Sequence, residues 1–321
     1  MTTNLSVIIP AYNAGDTLLE TIESARTSGA NEVIVIDDGS SDDTALVARR
    51  AGADTVRQTN QGAHAARQVG LARARGDYVV FLDADDLLIP AGVAESVRVL
   101  ESVPEAVAAG GETLGLWPDG SERIWPRKYE RITVENMLRT GFGPWPPGAA
   151  VIRRSALADE DPELPARLGT RFAEDYELFL RLAIRGVVAR HDVASVRYRL
   201  YMGKSTRFPL AVLESKERIR RYYAAWLGVS LRTHSPRALR SQALMHGARY
   251  ESVTGRRAAS VRRLLEAAVE HPVRFGECVW QFVGPRVRAR RHAAPERTTT
   301  VGAPVPAGEP TAELAGSRVG V

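Results

Sequence analysis

The chain has 321 residues, 44% of them hydrophobic, which is enough for a substantial core and, at roughly 150 residues each, for about two domains. Its single cysteine, Cys278, excludes an intrachain disulfide, and no apolar run approaches the roughly 20 residues that span a bilayer. The net charge of +5 is uneven: residues 206–321 hold 20 Lys and Arg against 9 Asp and Glu, a surplus of +11, so residues 1–205 carry −6. An acidic first part argues against a nucleic-acid channel over the whole protein. The opening MTTNLSVIIPAYN runs directly into a strand without a basic leader, which predicts no signal peptide and a cytosolic address.

In chain order, apolar runs alternate with helical patterns. Leu5–Ile9 precedes the helical stretch Thr17–Ser28, and Glu32–Ile36 precedes Asp42–Arg50. A weaker strand at Asp54–Arg57 leads to Ala63–Ala74, Tyr78–Leu82 leads to Ala91–Ser102, and Ala106–Gly111 closes the series. Unbroken β-rich runs suit strands buried on both faces, so the repeated alternation predicts a doubly wound, mostly parallel α/β sheet.

Beyond residue 111 the pattern changes. Trp117-Pro-Asp-Gly120 predicts a turn inside a hairpin. Gly141–Gly148 is too rich in Pro and Gly for regular structure and predicts a surface loop. Ala149–Arg153 reads as a strand, Phe172–Arg185 as a helix closed by Gly186 at C′, and Val196–Tyr201 as a last strand. From about residue 209 the chain is helical over Ala211–Leu227, Pro236–Thr254 and Arg256–Glu270, with apolar and Arg positions alternating as in amphipathic helices. Residues 293–321, rich in Ala, Pro, Thr and Gly, predict a disordered tail. The organisation expected is an α/β domain over 1–205, a basic helical extension over 206–292, and the tail.

Polar clusters follow four consecutive strands: Pro10-Ala-Tyr-Asn13, Asp37-Asp-Gly-Ser40, Asn60–Arg67 and Asp83-Ala-Asp-Asp86. In an open parallel sheet ligands bind beyond the carboxyl ends of the strands, so these clusters converge on one rim. Asp83 and Asp85 have the spacing to aim two carboxylates at one hard cation such as Mg²⁺ or Mn²⁺. The plainer reading of that stretch is a turn with Asp86 capping the next helix. Asp37–Asp43 suits a turn with Ser41 or Asp42 as N-cap, which still leaves a carboxylate for a nucleobase. Arg67 is either a solvated surface charge or a partner for base or phosphates. Glu174 and Asp175 open a helix, where acids complement the dipole; the sharper reading makes one of them a general base, its pKa raised by burial beside other carboxylates. No Gly-x-Gly-x-x-Gly follows the first strand, which counts against NAD and FAD.

Five stretches together resemble the family 2 glycosyltransferases, inverting enzymes of the GT-A, Rossmann-like fold. They are Val7–Asn13, Val35–Asp42, Asn60-x-Gly-x-x-x-Ala-Arg67, Gly76–Asp86 and Glu174-Asp-Tyr-Glu-Leu178, within a resemblance covering residues 5 to about 200. It implies that residues 1–205 form a nucleotide-sugar-binding catalytic domain that passes a sugar from a nucleotide diphosphate sugar donor to a hydroxyl acceptor, a glycan or glycolipid, in polysaccharide or glycolipid assembly. Pro10, Tyr12, Asp37 and Asp38 would line the nucleotide site, with Asp38 nearer the base, and Arg67 would help hold the nucleotide. Asp83 would lie near the ribose and metal, Asp85 on the Mn²⁺ or Mg²⁺, and Asp175 would be the base, with Glu174 beside it on the acceptor side.

Many relatives carry Tyr-Arg-x-His-x-x-Ser after the last strand; here Tyr201 stands in the histidine's place, and Lys204 or Arg207 would serve the diphosphate. The Gln-x-x-Arg-Trp motif of processive synthases is absent, which implies single transfers. Trp145 suits an acceptor-stacking platform or an ordinary buried position. A sugar-nucleotide-forming nucleotidyltransferase would need a Gly-rich basic loop that Pro10–Gly15 does not match. A catalytically silent nucleotide-sugar-binding or docking module is disfavoured by the presence of Asp83, Asp85 and Asp175 together. The basic amphipathic segments, including Phe275–Phe282 before Arg286–Arg291, suit peripheral attachment to an anionic membrane face or packing on the catalytic domain.

Overall fold

The computed structural model describes residues 4–117, 120–125, 129–157, 164–199 and 207–279. Tyr201, Lys204, the Arg286–Arg291 run and the tail 293–321 lie outside them. Nine strands form one sheet: β1 (Leu5–Ala11), β2 (Glu32–Asp37), β3 (Asp54–Arg57), β4 (Tyr78–Phe81), β5 (Leu87–Leu88), β6 (Ala106–Leu116), β7 (Glu122–Ile124), β8 (Ala150–Arg153) and β9 (Val187–Arg199). Their order is β3-β2-β1-β4-β8-β6-β9-β5, with β7 paired to β6. β3, β2, β1 and β4 are mutually parallel, β8 runs antiparallel between β4 and β6, and β6 and β9 are parallel again.

Helices α1 (Leu18–Thr27), α2 (Thr44–Arg50), α3 (Ala63–Arg73), α4 (Pro90–Ser102), α5 (Val134–Thr140) and α6 (Glu174–Arg185) cover the sheet. α7 (Pro209–Trp226), α8 (Pro236–Val253) and α9 (Arg257–Glu270) follow. Successive strand residues face opposite sides. Ile8, Ile34, Ile36, Val79 and Phe81 join Ala66 of α3, Leu178, Phe179 and Leu182 of α6, and Ile219 and Tyr223 of α7 in one core. Val7, Ile9, Val35 and Val80 join Leu18 and Ile22 of α1 and Val97 and Leu100 of α4 in the other. A fully buried side chain of this size contributes about 1.5–3 kcal/mol, so α7 is held on the sheet's own core.

The four leading strands match the expected ones to within two residues, and β6 and β7 form the hairpin around the Trp117 turn. Three local expectations change. Pro147, Gly148 and Ala149 are buried in a short 3₁₀ turn, so the Pro/Gly-rich segment is not a surface loop; a Cβ on Gly148 would sit 3.0 Å from Leu82 Cδ1, and its absence lets the chain pack there. Gly186 ends α6 in an extended conformation, not the left-handed turn of a C′ glycine. A Cβ there would meet Val107 Cγ1 at 2.7 Å, so close approach is what calls for glycine. β9 begins nine residues earlier than expected because its polar residues are paired: His191 Nε2 meets Ser96 Oγ at 2.8 Å, and Arg190 bonds Asp192 at 2.6 Å.

Contacts divide the chain into a compact unit ending at Glu277 and a second beginning at Cys278, of which only residues 278–279 are described. Among the described residues no helix is long and apolar enough to cross a membrane.

Candidate active site

Parallel pairing of β1, β2, β3 and β4 brings their carboxyl ends to one rim, and hydrogen bonds join the loops that leave it. Asn13, in the left-handed region at φ 50°, donates its N–H to Ser40 Oγ at 2.9 Å and accepts from Ser41 N at 2.9 Å. Ala14 N and Gly15 N donate to Thr44 Oγ1 at 2.8 Å and Asp42 Oδ2 at 3.1 Å. The N-cap position of α2 falls on Asp43, which makes no side-chain cap; Asp42, one residue earlier, accepts from Thr44 N at 3.1 Å. Gly39 turns at φ 78° with Asn60 N only 3.1 Å from where a Cβ would stand, a conformation and a proximity that both favour glycine.

Two adjacent aspartates end β2 differently. Asp37 is fully buried; its Oδ1 accepts from Ser40 N at 2.9 Å and its Oδ2 faces Arg57 Nε at 3.3 Å. Asp38, 4% exposed, accepts from Gln58 Nε2, Gln61 N and Gly62 N, each at 2.8 Å. A carboxylate has about four acceptor positions, so Asp38 keeps one for a ligand. Tyr12, 53% exposed, stands open at the rim, and Pro10 is half-buried on β1.

The Asp83–Asp86 turn is clamped from two sides. Thr17, the residue before α1, and Thr21 of α1 donate their hydroxyls to Ala84 O at 2.8 and 3.0 Å. On the other side Arg199 N, on β9, donates to Asp86 Oδ1 at 3.0 Å. Asp86 therefore does not cap α4, whose N-cap is Ile89. Arg67, buried on α3, joins this turn to α6: Nη2 donates to Asp83 Oδ1 at 2.7 Å and Nη1 to Glu174 Oε1 at 3.1 Å. Arg67 is thus a buried linchpin and not a solvated surface charge. Burial alone would lower its pKa, but Asp83, Glu174 and Asp175 outweigh that and raise it.

The carboxylates outnumber the cations that face them. Burial and then the charge of Asp83 push the Asp85 carboxyl up to about 6. Burial, Asp83 and Asp85 hold Asp86 well above the usual carboxylate range. Burial raises Glu174 too; Arg67 opposes it and Asp175 adds to it. The Tyr198 phenol is raised first by burial and then by the charges of Asp86, Asp83, Asp85 and Asp175, so all four acids lie within its electrostatic range.

Ala173, at φ 65°, starts α6 in the left-handed region just before Glu174 and Asp175. Asn13 and Ala173 are the non-glycine residues with positive φ among those described, and both border the rim. Such strain gathers where a site over-determines the backbone.

The residues at this rim fit a hard divalent cation. Every donor is a carboxylate oxygen, and Asp86 Oδ2 is buried without a hydrogen-bond partner. Among the described residues no group of three His, Cys, Asp or Glu stands ready for a metal, so any such ion would take its remaining ligands from substrate phosphates and water.

Trp145 packs its ring edge against Phe179 at 5.9 Å and lies 3.1 Å from the place of a Cβ on Gly110, which is a packing position. The sequence reading missed two groups. Tyr198 falls in a stretch it quoted only for Tyr201. Lys216 of α7 holds its ammonium 4.6 Å above the Phe142 ring and within electrostatic reach of Asp175. Neither spacing nor composition signals Lys216, because it reaches the site through the packing of α7.

Residues 6–159 match the model of Glycosyl transferase family 2. Over 96 residues the chain is 43% identical to the uncharacterized glycosyltransferase YibD of Escherichia coli K12, covering 28% of each. Over 216 residues it is 26% identical to the UDP-Glc:alpha-D-GlcNAc-diphosphoundecaprenol beta-1,3-glucosyltransferase WfaP of Escherichia coli, covering 62% of this chain and 78% of that one. The match spans less than two thirds of several curated relatives: 28% of YibD and 17% of an uncharacterized glycosyltransferase of Rickettsia conorii. Staphylococcus aureus TarS 1-349, solved in complex with UDP-GlcNAc, superposes with a TM-score of 0.54 at 18% identity, over 90% of this chain and 88% of that one, a likeness of fold. The family match runs from β1 past β8 and takes in the Asp83–Asp86 turn, and over these residues the chain is similar to the family 2 glycosyltransferases.

Proposed function

We propose that this chain moves a sugar from a nucleotide diphosphate sugar to a hydroxyl acceptor, in single transfers, with inversion at the anomeric carbon and with a divalent ion, Mn²⁺ or Mg²⁺. The observation that carries the reading is the Arg67 bridge, which ties the Asp83 turn to the head of α6 and so faces an acid pair with a second acid pair. Residues 1–205 act as the catalytic domain and 206–292 as a basic extension.

The nucleotide lies along the rim, with its base near Tyr12 and Pro10 and an N–H directed to the remaining acceptor position of Asp38. Asp37, with no exposed surface, serves the nucleotide by holding the Ser40 turn. Arg67 orients Asp83 toward the ribose. Asp83 and Asp85 would hold the ion, which when bound supplies positive charge to offset the negative charge that develops on the leaving diphosphate. Asp175, in the first turn of α6, accepts the proton of the attacking hydroxyl, while Glu174 stays on Arg67. Attack from the α6 side, opposite the nucleotide, inverts the centre. The named activity of WfaP supports a lipid-linked or glycan acceptor.

A second feature supports peripheral attachment to an anionic membrane surface, on the cytoplasmic side. α9 exposes Val261 (56%), Leu265 (65%) and Val269 (78%) at intervals of four, one helical face, with Arg262 beside them. Flotation with anionic liposomes at physiological salt tests this; a chain that stays at the bottom of the gradient rules it out.

For the transfer itself, a thermal-shift panel of UDP, GDP, dTDP and CDP sugars with Mn²⁺ identifies the donor, and Asp175→Asn then tests the base. Removing a general base costs about 10²–10⁴-fold in turnover. Nucleotide binding within twofold of the parent is expected in this variant. Retained turnover removes Asp175 as base, and parent protein that binds donor without ever turning it over leaves the silent binding module.

A further inference from the structure

Lysine is scarce in this chain: 3 of its 43 basic residues are Lys, at positions 128, 204 and 216, and the rest are Arg. Lys is the compact, titratable point charge and Arg the planar fork, so a Lys facing a reaction centre is a distinct chemical choice. Lys216 lies on the face of α7 that bears Leu213, Ile219, Arg220 and Tyr223, all buried, and so points at α6 and the Phe142 segment. One turn further along, Arg220 is fully paired, through its Nε to Leu138 O at 2.6 Å, through Nη1 to Glu217 and through Nη2 to Arg232 O at 3.3 Å.

Among the described residues Lys216 has no such ion pair. Its ammonium has the Phe142 ring on one side and the charge of Asp175 in reach. A half-buried cation left in this state costs free energy unless an anion arrives to meet it. The ring fixes the ammonium in place, as cation–π contacts do, without neutralising it. The cations at the other end of the site are already engaged: Arg67 by Asp83 and Glu174, and Arg199 by Glu20 at 2.7 Å, beside the Asp83–Asp86 turn. Among the described residues Lys216 is thus the cation left without an ion pair on the side of Asp175.

We propose that Lys216 anchors an anionic group of the acceptor, a phosphate or a carboxylate, next to the hydroxyl that Asp175 deprotonates. The inference rests on the transferase reading only in calling that ligand the acceptor; the anion site stands on the contacts of Lys216. It places the acceptor among phosphorylated or acidic glycans and excludes neutral sugars as the preferred class. It also gives α7 a part in acceptor choice, through a helix that comes after the residues matched by the family model.

The test follows modification of Lys216 in the whole protein with an amine-reactive reagent, quantified by mass spectrometry, with Lys128 as the internal reference. Glucose 1-phosphate, glucuronate and methyl glucoside are the probes, and UDP with Mn²⁺ is the donor-side control. Slowing of Lys216 modification by at least threefold with glucose 1-phosphate or glucuronate, and by neither methyl glucoside nor UDP with Mn²⁺, is the expected result. Whichever anion protects names the group. No protection by either anion overturns the anion site. Protection by UDP with Mn²⁺ equal to that by the sugar anions overturns the acceptor assignment and moves Lys216 to the donor. Failure of the transferase reading shows separately, as a donor panel without a single thermal shift while the anions still protect.

Discussion

Two buried arginines, Arg67 on α3 and Arg220 on α7, treat their carboxylates in opposite ways. Around Arg220 the account closes: Glu217 receives Arg220, His234 N at 2.9 Å and His234 Nδ1 at 2.9 Å, and the guanidinium also meets Leu138 O. Burial alone would raise the Glu217 carboxyl, but the His234 hydrogen bonds and the charge of Arg220 hold it down to about 2. Around Arg67 it stays open. Its Nε has no partner, Asp83 is 35% exposed at the side chain, and Glu174, Asp85 and Asp86 are all pushed upward. A network that satisfies its own charges fastens helices; one that keeps an excess of acid suits the cation proposed for it.

Breaking the closed network should cost the most. Arg220→Met strands Glu217 in the interior, a loss of about 3–5 kcal/mol, read as a fall in Tm on the order of 10 °C. Any smaller loss than from Arg67→Met would reverse the comparison. The Glu217 staple also has a pH signature. Its folded-state pKa lies below the unfolded value of 4.5, so its contribution is present above pH 4.5 and is lost as pH falls toward 2. The amount is on the order of 3 kcal/mol, and Glu217→Gln should flatten the urea midpoint against pH across that window.

Effects at the open network should appear in binding more than in stability. Arg67→Met is expected to weaken UDP binding with Mn²⁺ by roughly tenfold or more, about 1.4 kcal/mol, by calorimetry. Asp85→Ala should raise the UDP dissociation constant about tenfold with Mn²⁺ present and leave it unchanged with chelator. Equal affinities with and without Mn²⁺ in the parent protein would remove the metal from the proposal.

How much was legible in the sequence follows the same division. β1, β2 and β4 declared themselves because strands buried on both faces read as unbroken apolar runs, and their polar ends marked the rim. The Asp83 and Asp175 neighbourhoods stood out as candidates, but the bridge that joins them did not, since Arg67 and Glu174 are 107 residues apart. α5, seven residues long, went unseen. Burial of Pro147–Ala149 could not be read from composition; it depends on Leu82 and Val196 leaving room over Gly148. Lys216 looked like one more charge on a basic helix, and only the anchoring of α7 by Ile219 and Tyr223 gives it a direction.

The Arg67 bridge also bears on when the protein becomes competent. A nascent chain that has reached residue 159 already possesses the residues of β1 to β4 and the aspartate turn, yet has neither Glu174 to complete the grip on Arg67 nor Asp175. Under the proposed function, donor capture and chemistry would thereby be separated in synthesis, the second waiting for α6 to dock.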